Sequence, residues 1–468
     1  MTRRIQGCLR WVCAAPAFVA LTACAPLDTQ VRAAPAEALD ALWVQAAVSG
    51  GWQVRAITTA ATCPTIRWSQ GSALMATRAA PGAVAPRGDA VQPESKPALF
   101  ASRSCEAAWP DAAAEVRVGE RQLKRPAAEP RHIVLVGDSG CRLKASENAF
   151  QDCQDAAAWP YARIARSAAA GAPDLVIHVG DIHYRESPCP AGRPGCAGSP
   201  WGYGQDTWMA DLFEPAAPLL AAAPWVFARG NHETCSRAGA GWFRFLDPRA
   251  WSASASCQGP QDDPASDFTE PYAVPLSADT QLIVFDSSFV SGKAYPPGHP
   301  VALRYAAQLQ RVAELARARP HSFFLNHHPV LAFGGSASGE PKPGNAGLLS
   351  VMASVQPGRL YAPGVDAVLN GHVHLYQALS FAGDQPATLV TGNGGSMMEG
   401  QVDPARALRQ QPAPGATVAR YDTQPGYGYA TLDREAEGWR LTEHAVDGRA
   451  LSRCLLRGQQ LACEALSR

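Results

Sequence analysis

The sequence predicts an α/β layer fold preceded by a small β domain, and three observations predict it. Short continuous apolar runs recur from Ile133 onward, as expected of strands buried on both faces. Segments with helical spacing are interleaved with them. Each of five runs is followed almost at once by a residue of metal-ligand type: Asp138, Asp181, Asn231, His327 and His372. In α/β sheets ligands bind beyond the carboxyl ends of strands, so this shared placement outweighs any single residue.

The 468-residue chain has room for two or three domains. Arg3 and Arg4 precede an apolar stretch over residues 9–23, too short to span a bilayer, which reads as a secretory signal. It ends Leu21-Thr22-Ala23-Cys24, which resembles a bacterial lipobox. That resemblance implies cleavage before Cys24 and lipidation of its sulfur, hence a periplasmic or outer-membrane lipoprotein held to the membrane only by that anchor. The expected division is signal 1–23, tether 24–40, small β domain 41–128 and main domain 129–468. Residues 52–57 and 114–118 alternate apolar and polar, as a half-buried strand does.

Within the main domain the elements follow in order. Residues 133–136 form the first buried strand. Residues 156–170 carry Tyr161, Ile164 and Ala168 at helical spacing, and 174–179 form the next strand. A helix is expected over 213–222, then strands at 225–227 and 281–285. Leu309, Val312 and Leu315 mark a helix within 305–319, followed by strands at 321–325 and 367–369. Residues 387–445 alternate as a sheet does.

Cysteine usage agrees with export. Leaving aside Cys8, Cys13 and Cys24, ten remain, and they fall into near neighbours: Cys63 and Cys105, Cys141 and Cys153, Cys189 and Cys196, Cys235 and Cys257, Cys454 and Cys463. An oxidising compartment favours disulfides, and this pairing is the most local of many.

The chemistry lies in five blocks: Gly137-Asp138-Ser139-Gly140, Gly180-Asp181-Ile182-His183-Tyr184, Gly230-Asn231-His232-Glu233, Asn326-His327-His328-Pro329 and Gly371-His372-Val373-His374. A lone Asp after a strand is usually a turn residue. Five candidate ligands at five strand ends are hard to explain that way. Carboxylate, amide oxygen, imidazole and phenolate suit iron, zinc or manganese rather than a thiolate centre. Asp181 offers two oxygens and so can bridge two ions. If the chain is extended at His372 and His374, both rings project to one side.

In this order the blocks resemble calcineurin-like metallophosphoesterases and, with Gly140 in the first block and Tyr184 three residues after Asp181, purple acid phosphatases. Tyr376 and Gly392-Asn393-Gly394-Gly395 are similar to that family's downstream segments. The resemblance implies a sandwich of two mixed β-sheets flanked by helices. It implies two ions, one of iron(III) on Asp138, Asp181, Tyr184 and His374. The other, a divalent iron, zinc or manganese, falls to Asp181, Asn231, His327 and His372. His327 is preferred to His328 because the family's ligand stands two residues before the proline, here Pro329. His232 matches the substrate-phosphate histidine, and Glu233 is expected to orient a histidine. His183 is expected outside the ligand set. The sequence identifies no general acid; His328 and His299 are candidates, with a structural role the first expectation for each. A charge of about +5 less about 3 from two carboxylates and a phenolate leaves roughly +2, enough to hold a phosphate dianion.

The expected activity is hydrolysis of small phosphate monoesters, with diesters open, by in-line attack of a metal-bound hydroxide. The rival is a non-catalytic cell-surface binding protein on the same scaffold. Lys plus Arg and Asp plus Glu each number 41, so no nucleic-acid footprint is expected. A zinc peptidase is excluded by the lack of His-Glu-x-x-His, and a cysteine zinc site by the lack of Cys-x-x-Cys.

Overall fold

Two mixed sheets stacked face to face position every residue of interest. The computed structural model describes residues 39–86, 96–464 and 466, apart from residue 49. The expected signal, the Cys24 lipidation site and nearly all of the tether lie outside the described residues. The first sheet has eleven strands. At its centre His132–Val136, Leu175–His178 and Trp225–Phe227 run parallel, with Val136, His178 and Phe227 in register. The second sheet has seven strands. Thr280–Val284, His321–Leu325, Val365–Asn370 and Ala387–Thr391 are its parallel centre.

The continuous apolar runs follow from burial on both faces. Ile133 and Leu135 face the second sheet and meet Phe323, Leu325 and Leu369 there. Val134 and Val136 point outward under the helices Tyr161–Ala170 and Ala217–Ala222. On the far side Ile283, Phe324 and Val368 pack under Pro300–Ala316 and Ala346–Val355. The layers therefore run helix, sheet, sheet, helix, as the resemblance implies.

Helix limits differ from the spacing-based expectation. The first helix starts at Tyr161 rather than near 156, with Pro160 as its N-cap residue. The helix expected from 305 starts at Pro300, where a proline is tolerated in the first turn and His299 Nδ1 accepts from Val301 N. Residues 209–213 form a five-residue π-turn, and the helix expected over 213–222 shortens to Ala217–Ala222.

The N-terminal strands share the first sheet. Leu39–Ala46 pairs in parallel with Trp225–Phe227 through Gln45 and Trp225, and Trp52–Thr58, Arg103–Ala108 and Ala76–Ala79 extend the sheet beyond it. Their other face is covered by a four-stranded sheet, with Leu42, Val54, Ile66, Val116 and Val118 between. The residues around 126–130 thus mark a change in chain composition, and the sheet runs across it. All five near-neighbour cysteine pairs form disulfides: Cys63–Cys105, Cys141–Cys153, Cys189–Cys196, Cys235–Cys257 and Cys454–Cys463.

Trp225 is fully buried, stacks on Phe227 with ring centroids 5.1 Å apart, and ties the N-terminal strands to the central ones. Trp225→Ala is expected to cost about 3–5 kcal/mol, because it leaves a cavity between the sheet and the helices that cover it. Urea unfolding of the oxidised protein checks this; a loss below about 1 kcal/mol would contradict the packing described.

Candidate metal centre

Because the central strands are parallel, their carboxyl ends lie along one edge, and the loops that follow carry the candidate ligands. Asp138, Asp181 and His372 have left-handed backbones, with φ of 51°, 51° and 70°. Non-glycine residues adopt this region at a cost, and such strain clusters at functional sites. His372 also corrects an expectation: the chain from Gly371 to His374 is bent rather than extended, so the two rings meet the cluster through a turn and not through strand alternation. Glycines let the loops close in. A Cβ on Gly230 would lie 2.0 Å from Asp181 Oδ1, and one on Gly180 2.5 Å from His327 Nδ1.

The candidate side chains converge. Tyr184 Oη lies 2.9 Å from Asp138 Oδ1, 3.1 Å from Asp181 Oδ2 and 2.8 Å from His374 Nε2. His327 Nε2 is 3.1 Å from Asp181 Oδ2, and His374 Nε2 is 3.4 Å from Asp138 Oδ1. His372 Nδ1 is 3.0 Å from Asn231 Oδ1. Ligand atoms of Asp181, His327 and His372 all fall within 4.8 Å of one another. Asp138 and Asp181 are 0% and 2% exposed.

The tautomers fit a cation. His327 Nδ1 donates to Val179 O at 3.0 Å, and His374 Nδ1 to Met397 O at 2.6 Å. In its neutral form each ring therefore turns an Nε2 lone pair into the cluster, the arrangement by which second partners orient metal-binding histidines. His327 Nε2 is buried without a well-formed hydrogen bond although a carboxylate oxygen is near. Lone pairs facing lone pairs in a buried site call for positive charge between them.

The electrostatics say the same. Burial disfavours the Asp181 anion, yet His327 and His232 outweigh it and hold this carboxyl well below the usual range. Burial pulls His327 down, but Asp181 and then Asp138 carry it up to about 9. Burial pushes the Tyr184 phenol up, and Asp138 and Asp181 push it further, well above its ordinary value. Two carboxylates and a phenol crowd one buried point, so the group that belongs there is a cation.

A cleft of about 360 Å³ opens onto this cluster, lined among others by Asp181, Asn231, His232, His372 and His374. The known-protein comparisons bear directly on it. The family model described as calcineurin-like phosphoesterase matches residues 131–376, more than half of the chain and all five blocks. The chain belongs to the calcineurin-like phosphoesterases. Among solved structures, a purple acid phosphatase from yellow lupin (Lupinus luteus) seeds aligns at 15% identity with TM-score 0.50, over 88% of this chain and 73% of that one. PhoD aligns at 12% identity with TM-score 0.53, over 92% of both chains. At these identities the likeness is one of fold. No curated protein matches the sequence significantly.

Three neighbours of this phosphoesterase centre depart from expectation. Glu233 does not orient a histidine. Its Oε1 accepts from the N–H of Ile182 and His183 at 2.9 and 3.0 Å, and its Oε2 from Gly230 N at 3.0 Å. It ties the Asp181 loop to the Asn231 loop. The carboxylate beside His232 is Glu186, 3.0 Å from Nδ1, with Arg237 Nη2 at 2.6 Å. Sequence reasoning passed over Glu186, although it lies two residues after Tyr184. Asp211 was also missed: it accepts from Cys141 N at 3.0 Å and Tyr184 N at 2.9 Å, fixing the loops of two candidate ligands.

The remaining histidines are placed plainly. His183 lies outside the cluster, buried, with Nε2 2.9 Å from Thr207 Oγ1. His328 is buried with Nδ1 3.1 Å from Ser287 Oγ, and does not line the cleft. His299 caps the helix Pro300–Ala316. Neither lines the cleft, and both have the structural surroundings expected of them.

Proposed function

We infer that this phosphoesterase is an exported, two-metal enzyme of purple acid phosphatase type that hydrolyses small phosphate esters, monoesters foremost. The observation that carries the reading is the convergence of Asp138, Asp181, Tyr184, Asn231, His327, His372 and His374, all buried but the half-buried Asn231 and His372, with two imidazoles locked by backbone carbonyls. Asp138, Asp181, Tyr184 and His374 would hold iron(III). Asp181, Asn231, His327 and His372 would hold a divalent iron, zinc or manganese ion. Such a pair, when bound, supplies an activated water at mildly acidic pH and charge to neutralise the phosphate.

The chain's own residues do the rest. His232 Nδ1 faces both Arg237 Nη2 at 2.6 Å and Glu186 Oε1 at 3.0 Å, and its Nε2 is 3.7 Å from Asp181 Oδ2. Burial and Arg237 lower this imidazole to about 4 against the pull of Asp181 and Glu186, so it is neutral above that pH. In its Nε2–H form the neutral ring is a hydrogen-bond donor to a phosphate oxygen or a leaving oxygen. Glu186 and Arg237 fix its plane. Five disulfides support an oxidising compartment, and we place the protein in the periplasm or on the outer membrane through Cys24.

The test is assay of purified protein on aryl phosphate mono- and diesters before and after chelation. Monoester hydrolysis that falls at least about a hundredfold on metal removal, and returns with iron plus a divalent ion, is expected. Specific ligand binding with no turnover in fully metallated protein would instead favour the binding-protein reading.

A further inference from the structure

Beside the cluster, the cleft carries two cations that neither the ligand set nor His232 uses. Resting on the phosphoesterase reading above, we propose that Arg142 and Lys144 seat a second phosphate of the substrate, so that the preferred substrates are small molecules bearing two phosphate groups. Both side chains line the same cleft as Asn231, His232 and His372. They flank Leu143, which is fully buried, so in this locally extended segment both cations project to the side opposite the core.

The segment that carries them is rigid. Cys141 is bonded to Cys153. Leu143 N donates to Tyr184 O at 3.0 Å, and Arg142 N to Gln151 Oε1 at 3.0 Å. Gln151 Nε2 donates in turn to Gly395 O at 2.8 Å. The pair is thus held in fixed relation to the metal loops, which a site that spans two phosphates requires.

The charges are part-buried and only partly compensated. The side chains of Arg142 and Lys144 are 17% and 15% exposed. Glu147 bridges them, accepting from Arg142 Nη2 and, at 2.7 Å, from Lys144 Nζ. Arg142 and Lys144 exceed Glu147 by one positive charge; Glu399 also lines the cleft, with its Oε2 accepting from Gly335 N at 3.2 Å. Among the described residues Arg142 Nε and Nη1 make no hydrogen bond, and the guanidinium stands 5.5 Å from the centre of the Tyr184 ring. An arginine with unused N–H groups beside a lysine is suited to a phosphate, the first by paired hydrogen bonds and the second as a point charge. Met397 and Met398 line the same cleft and can take the carbon skeleton between two phosphates.

The test compares propyl phosphate with propane-1,3-diyl bisphosphate by phosphate release, using metallated wild type, R142Q/K144Q and E147Q. The read-out is the ratio of kcat/KM for the bisphosphate to that for the monophosphate, corrected for two equivalent ends. The double variant should lower this ratio about tenfold or more, mainly through the bisphosphate KM, since two charged hydrogen-bond donors are lost. E147Q, which removes the counter-charge and keeps the cations, should raise it. Equal losses on both substrates, or an unmoved ratio in an active enzyme, overturn this inference alone. A wild type that hydrolyses neither substrate removes the phosphoesterase reading and this inference with it.

Discussion

Asp181→Ala is expected to lower phosphate monoester turnover by about three orders of magnitude or more while the protein stays folded. Asp181 is the one carboxylate that reaches both halves of the cluster: its Oδ2 is 3.1 Å from Tyr184 Oη and 3.1 Å from His327 Nε2. Its Oδ1 accepts from His232 N at 2.9 Å and so sets the Asn231 turn. Removing it takes away the only group assigned to both ions and loosens the turn that carries Asn231. The fold should survive, because the strand ahead of it is held by its neighbours and by apolar packing on both faces. Initial rates, bound metal and the unfolding midpoint, measured on one preparation, separate the effects. A variant within about tenfold of wild-type turnover would contradict the assignment of Asp181.

His232→Ala is expected to lower kcat by about 10²- to 10⁴-fold with bound metal unchanged. The contrast with Asp181 follows from geometry. His232 lines the cleft, and its ring is held by Glu186 and Arg237 rather than by the other candidate ligands. Glu186→Gln should give a smaller loss, because the amide keeps a contact to the ring while the charge that anchors Arg237 is gone. Glu186→Ala is the wrong probe, since it strands a buried arginine and threatens the fold. Loss of metal in His232→Ala, or an Ala variant as active as wild type, would count against the role given to this histidine.

The layered fold and the convergence of the candidate side chains were readable for a physical reason. Parallel strands buried on both faces leave continuous apolar runs, and their carboxyl ends must share an edge. A candidate ligand directly after each run, as at Asp138, Asp181 and His327, therefore already implies convergence. What stayed hidden depends on contacts that no local pattern records. Glu233 stands beside His232 in sequence, yet its carboxylate is taken up by the amides of Gly230, Ile182 and His183. Glu186 does what was expected of it. The bend at His372 was missed because strand alternation was assumed past the strand's end, where the backbone turns left-handed. The N-terminal strands read as a separate unit because what joins them to the rest is made between residues far apart in sequence, such as the pairing of Gln45 with Trp225 and the hydrogen bonds of Gln45 to Leu246 O and Arg78 to Phe243 O.

Metal analysis with a visible spectrum on the protein as purified from iron-supplemented cells tests the central claim most directly. Two ions per chain are expected, at least one of them iron, with a broad phenolate-to-iron absorption that disappears in Tyr184→Phe. Protein that hydrolyses phosphate esters at full rate with no bound metal, or that keeps two ions after Asp138 and Asp181 are both replaced by alanine, would contradict it.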